Sequence, residues 1–176
     1  MDNREKEGLL REAMDTYGHY LKRVVYALVK DEQKAEDIVQ EVFIRYYINL
    51  ESFEGRASVK TFLYSIALNQ CRNYFKSWSY RKILLSNIVQ HTFVSKQTPE
   101  SEMLKRESSK EIEEALGKLP FKYKEVIWLY YYIEMSVVEI SEVLNCSVNT
   151  VKTRLARGRR QAKISLEEVK DHDAEY

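Results

Sequence analysis

Asn149, Thr153, Arg157 and Arg160 recur every three or four residues in a stretch with no carboxylate between Glu142 and Glu167. At about 100° per residue of an α-helix these side chains share one face with Ala156, while Thr150, Lys152 and Arg154 flank it. Val148, Val151, Leu155, Gly158 and Ala162 fall on the opposite face and predict packing against a partner helix. Amide, hydroxyl and guanidinium groups are the groups that read base edges, and flanking cations hold phosphates. An ordinary amphipathic surface helix is the plainer reading of the same pattern. The residues just before it argue against that reading. Ser136-Val137-Val138-Glu139 has the form of a capping box, which starts a short helix running to Leu144. Asn145 tolerates the left-handed backbone of a helix end, and Ser147 caps the next helix. Two helices joined by so short a turn form a helix-turn-helix, whose second helix enters the major groove.

The charge pattern points to a second surface of the same kind. The formal net charge is only +1, yet no acid lies between Glu54 and Glu100, where Arg56, Lys60, Arg72, Lys76, Arg81, Lys82 and Lys96 are found. The segment from Lys152 to Lys163 adds six more cations, so the rest of the chain is strongly acidic. Solvated helix faces account for many charge runs. Two acid-free blocks on an acidic molecule instead suggest two contacts with a polyanion, because each cation near a phosphate releases counterions. Catalysis is not indicated. His19, His91 and His172 are scattered, Cys71 and Cys146 are the sole cysteines, and no glycine-rich phosphate loop occurs. No metal, cofactor or small-molecule substrate is therefore expected. The charged segment from Met1 to Glu12 lacks the apolar core of a signal peptide, and the run from Val126 to Ile133 is far short of a bilayer span. A reducing, cytoplasmic setting without membrane insertion is expected.

These surfaces need helices to carry them. Five glycines and two prolines in 176 residues, where average usage gives roughly 21, disfavour a turn-rich β-sandwich. Tyr20, Leu21, Val24, Val25 and Leu28 form one apolar stripe, and Gly18 is expected to separate their helix from a shorter one before it. Asp31 is placed to cap a helix with Ala35, Ile38, Val39, Val42, Phe43 and Tyr46 inward and an acidic face outward. A loop from Asn49 to Ala57 precedes Ser58, which caps a helix carrying Phe62, Leu63, Ile66, Ala67 and Phe75. Tyr64, Tyr74 and Trp78 are candidate stacking partners for bases, although aromatics at helical spacing more often belong to a core. Periodicity fails from His91 to Ser101, and Leu119-Pro120 breaks the second half. The expectation is an all-α protein of two small helical domains, residues 1–92 and 105–176, joined by a flexible linker at 93–104. The second is the helix-turn-helix domain.

The segment Ile140-Ser141-Glu142-Val143-Leu144-Asn145-Cys146-Ser147-Val148-Asn149-Thr150-Val151-Lys152-Thr153-Arg154-Leu155-Ala156-Arg157-Gly158-Arg159, preceded by Leu119-Pro120, resembles region 4 of bacterial extracytoplasmic-function sigma factors. Ala35-Glu36-Asp37-Ile38-Val39-Gln40-Glu41-Val42-Phe43 is similar to their region 2.2. Phe53-Glu54-Gly55-Arg56-Ala57-Ser58 with Asn69, Arg72, Asn73 and Tyr74 resembles regions 2.3 and 2.4. The resemblance implies docking of Asp37, Gln40 and Glu41 on the coiled coil of the largest RNA polymerase subunit. It implies minus-ten recognition as single-stranded DNA, with a flipped base, by Phe53, Gly55, Arg56, Asn69, Arg72, Asn73 and Lys76. For the minus-thirty-five element it implies contacts at Lys152, Thr153, Ala156 and Arg157; the helical wheel adds Asn149, Thr150, Arg154 and Arg160. Arg154 on the flank is expected to hold phosphate. Two positions depart from the family pattern, since an acidic residue often stands where this chain has Asn73, and an arginine where it has Leu68. The family also binds the polymerase flap through region 4 and is commonly held by an anti-sigma factor. The competing reading is a stand-alone helix-turn-helix repressor or activator that binds duplex operator as a dimer without polymerase.

Overall fold

In the computed structural model, which describes residues 2–52, 58–77, 112 and 114–173, every regular element is helical. Helix α1 spans Asn3–Val29, α2 Glu32–Asn49 and α3 Val59–Lys76, with a 3-10 turn at Leu50–Ser52. Their apolar faces close a three-helix bundle around Leu21, Val25 and Leu28 of α1, Ile38 and Val42 of α2, and Leu63, Tyr64 and Leu68 of α3. Caps set where each helix begins. Asp31 accepts from the Lys34 N–H at 2.9 Å and Ser58 from the Thr61 N–H at 3.0 Å, each satisfying an orphan donor of its helix. Lys30 takes a left-handed conformation (φ 57°), which lets the chain leave α1 and enter α2 with only Lys30 and Asp31 between them.

The expected break at Gly18 does not occur; α1 is one helix of 27 residues. A mid-helix glycine costs only about 1 kcal/mol relative to alanine, and packing on both sides of it outweighs that. Buried Ala13 lies before Gly18 and Leu21 after it, and the Phe43 ring covers the glycine from α2.

In the second half, residues 114–118 are helical and Pro120 opens α4, Phe121–Ile127. The helix then widens into a π turn, Trp128–Tyr132, and ends with Glu134 at φ 55°. Helix α5 covers Val137–Leu144 and α6 Val148–Asp173. The predicted capping box is present: the Ser136 N–H donates to Glu139 Oε2 at 2.8 Å, and the Glu139 N–H to Ser136 Oγ at 3.2 Å. Asn145 is left-handed (φ 48°, ψ 54°), and the Thr150 N–H donates to Ser147 Oγ at 3.1 Å to start α6. Helix α6 packs on α4 and α5 through Val151, Leu155 and Gly158. Gly158 is there for closeness: a Cβ would lie 3.2 Å from Ile127 Cγ1 and 3.3 Å from Tyr123 Cβ.

The two halves touch. Helix α3 lies against α5, the Phe75 and Phe121 rings meet edge to face at 5.2 Å, and Lys60 Nζ donates to the Ile133 carbonyl at 3.0 Å. Tyr132 stands beside Tyr20 with the Arg23 guanidinium 5.1 Å from its ring centre. The expected linker at 93–104 lies outside the described residues, as do Phe53, Gly55, Arg56 and Trp78.

Candidate nucleic-acid interface

Helix α6 turns Asn149, Lys152, Thr153, Ala156, Arg157 and Arg160 to solvent, while Val151, Leu155 and Gly158 are buried. The register comes from the hydrophobic face: once those three residues seat on α4 and α5, every polar side chain opposite must face out. Asn149, Thr153 and Arg157 line a groove of about 360 Å³ with Lys122 and Tyr123, which α4 brings alongside. No carboxylate lines it, so the groove is electropositive and supplies donors at several heights along α6. Arg159 leaves this face and stacks over Tyr130 and Tyr131, 5.5 Å from each ring centre.

Thr150 and Arg154 are half-buried. The Thr150 hydroxyl is 2.9 Å from Ser147 Oγ, inside the cap. One guanidinium nitrogen of Arg154 donates to Glu125 Oε1 at 3.1 Å. Glu125 is 2% exposed and was not anticipated. Its signal in the sequence is slight, one carboxylate beside the apolar run from Val126 to Ile133. Burial pushes its carboxyl up from the ordinary range, and the adjoining Arg72 and Arg154 oppose that rise.

On α3, Asn69, Asn73 and Lys76 are exposed and Arg72 is half-buried between them. The Arg72 guanidinium has two partners: it donates to Asn69 Oδ1 at 2.8 Å and to Glu125 Oε2 at 2.7 Å. The structure thus brings Asn69, Arg72, Asn73 and Lys76 onto one helix and joins them to Arg154 through a single carboxylate. Tyr64, a candidate stacking ring, is 1% exposed and belongs to the core. Tyr74 is half-buried beside Phe75, with Lys34 Nζ 5.7 Å from its ring centre. Leu68, where the family carries arginine, is fully buried. The Cys71 thiol, buried next to Arg72, is pushed up to about 12, so it holds its proton at neutral pH and is no nucleophile.

A third surface lies on α2. Asp37 and Gln40 are exposed and Glu41 is half-buried, all three on one face. Gln33 Nε2 donates to Asp37 Oδ1 at 3.4 Å, and Arg45 Nε to Glu41 Oε1 at 2.6 Å. Gln40 also rims an apolar groove of about 560 Å³ between α1 and α2, floored by Leu10, Met14, Phe43 and Ile44. Among the described residues no His, Cys, Asp and Glu cluster could hold a metal ion, and no helix is long and apolar enough to cross a membrane.

Both halves match known family models, sigma-70 region 2 over residues 13–79 and sigma-70 region 4 over residues 109–161. The ECF RNA polymerase sigma factor SigW of Bacillus subtilis is 34% identical over 166 residues, 90% of this chain and 89% of that protein. This chain belongs to the extracytoplasmic-function sigma factors. The ECF RNA polymerase sigma-E factor of Haemophilus influenzae is a further relative, 32% identical over 74% of each chain. The fold is shared with the sigma factor RpoE of Bartonella quintana, solved with the anti-sigma factor NepR, at TM-score 0.72 and 22% identity over 89% of this chain and 96% of that one. The sigma factor directs core RNA polymerase to promoters, and the region 2 match removes the reason to read it as a stand-alone repressor or activator. Sigma factors of this kind are initiation factors rather than enzymes.

Proposed function

We propose that this sigma factor divides promoter recognition between α3 and α6 and docks on polymerase through α2. The minus-thirty-five element is read by α6, with Thr153 and Arg157 on base edges, Asn149, Ala156 and Arg160 beside them, and Lys152 on base or phosphate. Arg154 and Thr150 edge that surface. The minus-ten strand is taken by Asn69, Arg72, Asn73 and Lys76 of α3, with Phe53, Gly55 and Arg56 from the sequence just before it. The observation that carries this reading is the outer face of α6 from Asn149 to Arg160, which holds no acid, is exposed at Asn149, Lys152, Thr153, Ala156, Arg157 and Arg160, and is fixed in register by three buried residues on its other side. Core polymerase is received by Asp37, Gln40 and Glu41 through its largest-subunit coiled coil, and by region 4 through the flap. Carboxylates four positions apart, one helical turn, share a face and suit arginines of a partner, and the apolar groove beside Gln40 supplies area for burial.

An anti-sigma factor is the further partner, in keeping with the NepR complex of the Bartonella protein. The protein works in the cytoplasm and carries no catalytic site. Transcription of a promoter library by reconstituted holoenzyme tests the assignment. Arg157→Ala is expected to cost about 1 to 3 kcal/mol and to relax preference at one position of the minus-thirty-five element. A uniform loss across all promoters, with every base preference intact, would show that Arg157 contacts phosphate and that α6 is rotated from this assignment.

A further inference from the structure

Arg72 and Arg154 belong to different halves of the chain and to different promoter elements in the reading above, on which this inference rests. In the structure they converge on the two oxygens of one carboxylate, Arg72 on Oε2 at 2.7 Å and Arg154 on Oε1 at 3.1 Å. Glu125 is 2% exposed, whereas the arginine side chains are 26% and 28% exposed. The pairing is therefore desolvated at the carboxylate end and reachable from solvent at the guanidinium ends. Other contacts close the same interface, namely the Lys60 bond to the Ile133 carbonyl and the Phe75 to Phe121 ring contact. The buried carboxylate needs no second arginine for its own charge, because Arg154 already neutralises it within the second half. Arg72 adds a bond that exists solely when the halves are together.

The minus-ten and minus-thirty-five elements lie about 25 base pairs apart, or about 85 Å along duplex DNA at 3.4 Å per step. Two side chains that share one carboxylate cannot stand on both elements at once. With Asn69 on one terminal nitrogen and Glu125 on the other, Arg72 has both ends of its guanidinium engaged inside the chain. We propose that Glu125 is an intramolecular latch: in the free chain it occupies one arginine of each DNA-binding half, mimicking phosphate, and so holds the sigma factor closed until promoter DNA and polymerase draw the halves apart. Closure and DNA binding then compete for the Arg72 guanidinium, while Arg154 stays paired with Glu125 inside its own half until phosphate displaces it, and weakening the latch must favour both opening and DNA.

The test uses the free full-length chain. Small-angle scattering and far-ultraviolet circular dichroism are measured on the parent, on Arg72→Gln and on Lys60→Met; Lys60 has no assigned DNA contact. Both variants are expected to keep parental helicity and to show a larger radius of gyration, with Arg72→Gln shifting the closed-to-open ratio roughly tenfold. Binding of a fluorescent mixed-sequence single-stranded 20-mer is then compared between the parent and Glu125→Gln, which is expected to bind roughly tenfold tighter despite losing a salt bridge. A purely structural carboxylate predicts equal or weaker binding. Unchanged scattering in both helical variants overturns the latch and leaves the promoter assignment standing. Expansion without tighter binding by Glu125→Gln overturns the phosphate mimicry, and with it the placing of Arg72 on DNA.

Discussion

The outward faces of α3 and of α6 up to Lys163 carry the same chemistry, amide and guanidinium groups in acid-free sequence, yet they are held in place in different ways. On α6 every determinant is close in sequence. The Ser136–Glu139 box starts α5, Asn145 turns the chain, Ser147 starts α6, and Val151, Leu155 and Gly158 seat it. Arg157 and Arg160 then project freely. On α3, the central Arg72 is tied to Asn69 one turn earlier and to Glu125 from the other half. If both helices read DNA as proposed, α6 is ready as folded and α3 is withheld by a distant partner, and the same residue types serve in both.

The largest expected effect breaks the shared point of this comparison. Glu125→Ala leaves two partly buried guanidinium groups facing an apolar hole, and breaking such a pairing costs about 3 kcal/mol. Urea unfolding followed by circular dichroism measures it. A loss as small as that of an exposed surface pair would show that water already solvates both arginines.

Next comes a change that touches α6 alone. Gly158→Leu places a side chain where Ile127 and Tyr123 already stand within 3.3 Å of a Cβ, and overpacking of this kind costs about 2 kcal/mol. Thermal melting checks the cost. Transcription should fall at promoters that depend on the minus-thirty-five element while binding to core polymerase persists, which separates the α6 face from the α2 face.

The polymerase face is expected to respond without any loss of fold. Asp37→Ala combined with Glu41→Ala removes side chains whose hydrogen bonds, among the described residues, run to Gln33 and Arg45 of the same helix rather than to another helix. Competition against another sigma factor for core should show roughly tenfold weaker binding with an unchanged melting temperature. Equal competition would move the docking surface off this face.

The smallest effect sharpens the local side of the comparison. Ser136→Ala removes one half of the capping box and is expected to cost about 1 kcal/mol. The Glu139 carboxyl accepts from the Ser136 N–H, which holds it below its ordinary value of 4.5. Its contribution is therefore present above that value and is lost as the pH falls through its lower folded value. Glu139→Gln should flatten this part of the acid limb in unfolding curves recorded between pH 6 and pH 3. An unaltered acid limb would mean that the box closes equally well without the charge.

The parts that were legible in the sequence are those governed by neighbours along the chain. Caps satisfy donors three residues away, an amphipathic stripe repeats within two turns, and the acid-free faces need no partner to be recognised. That is why the helix-turn-helix and the face of α6 could be placed from residue order alone, and why Asp31 and Ser58 could be named as caps. Tertiary structure decided what depends on distant partners. It made α1 continuous through Gly18, since packing against α2 outweighs a local cost of about 1 kcal/mol. It took Tyr64 out of the candidate stacking set by burying it. It also turned Arg154 from a free flank residue into a partner of Glu125, and brought Arg72 to the same carboxylate across 53 positions of sequence. No periodicity encodes that meeting, because the strength of an ion pair depends on burial and distance in three dimensions, and both exist only once α3, α4 and α6 have come together.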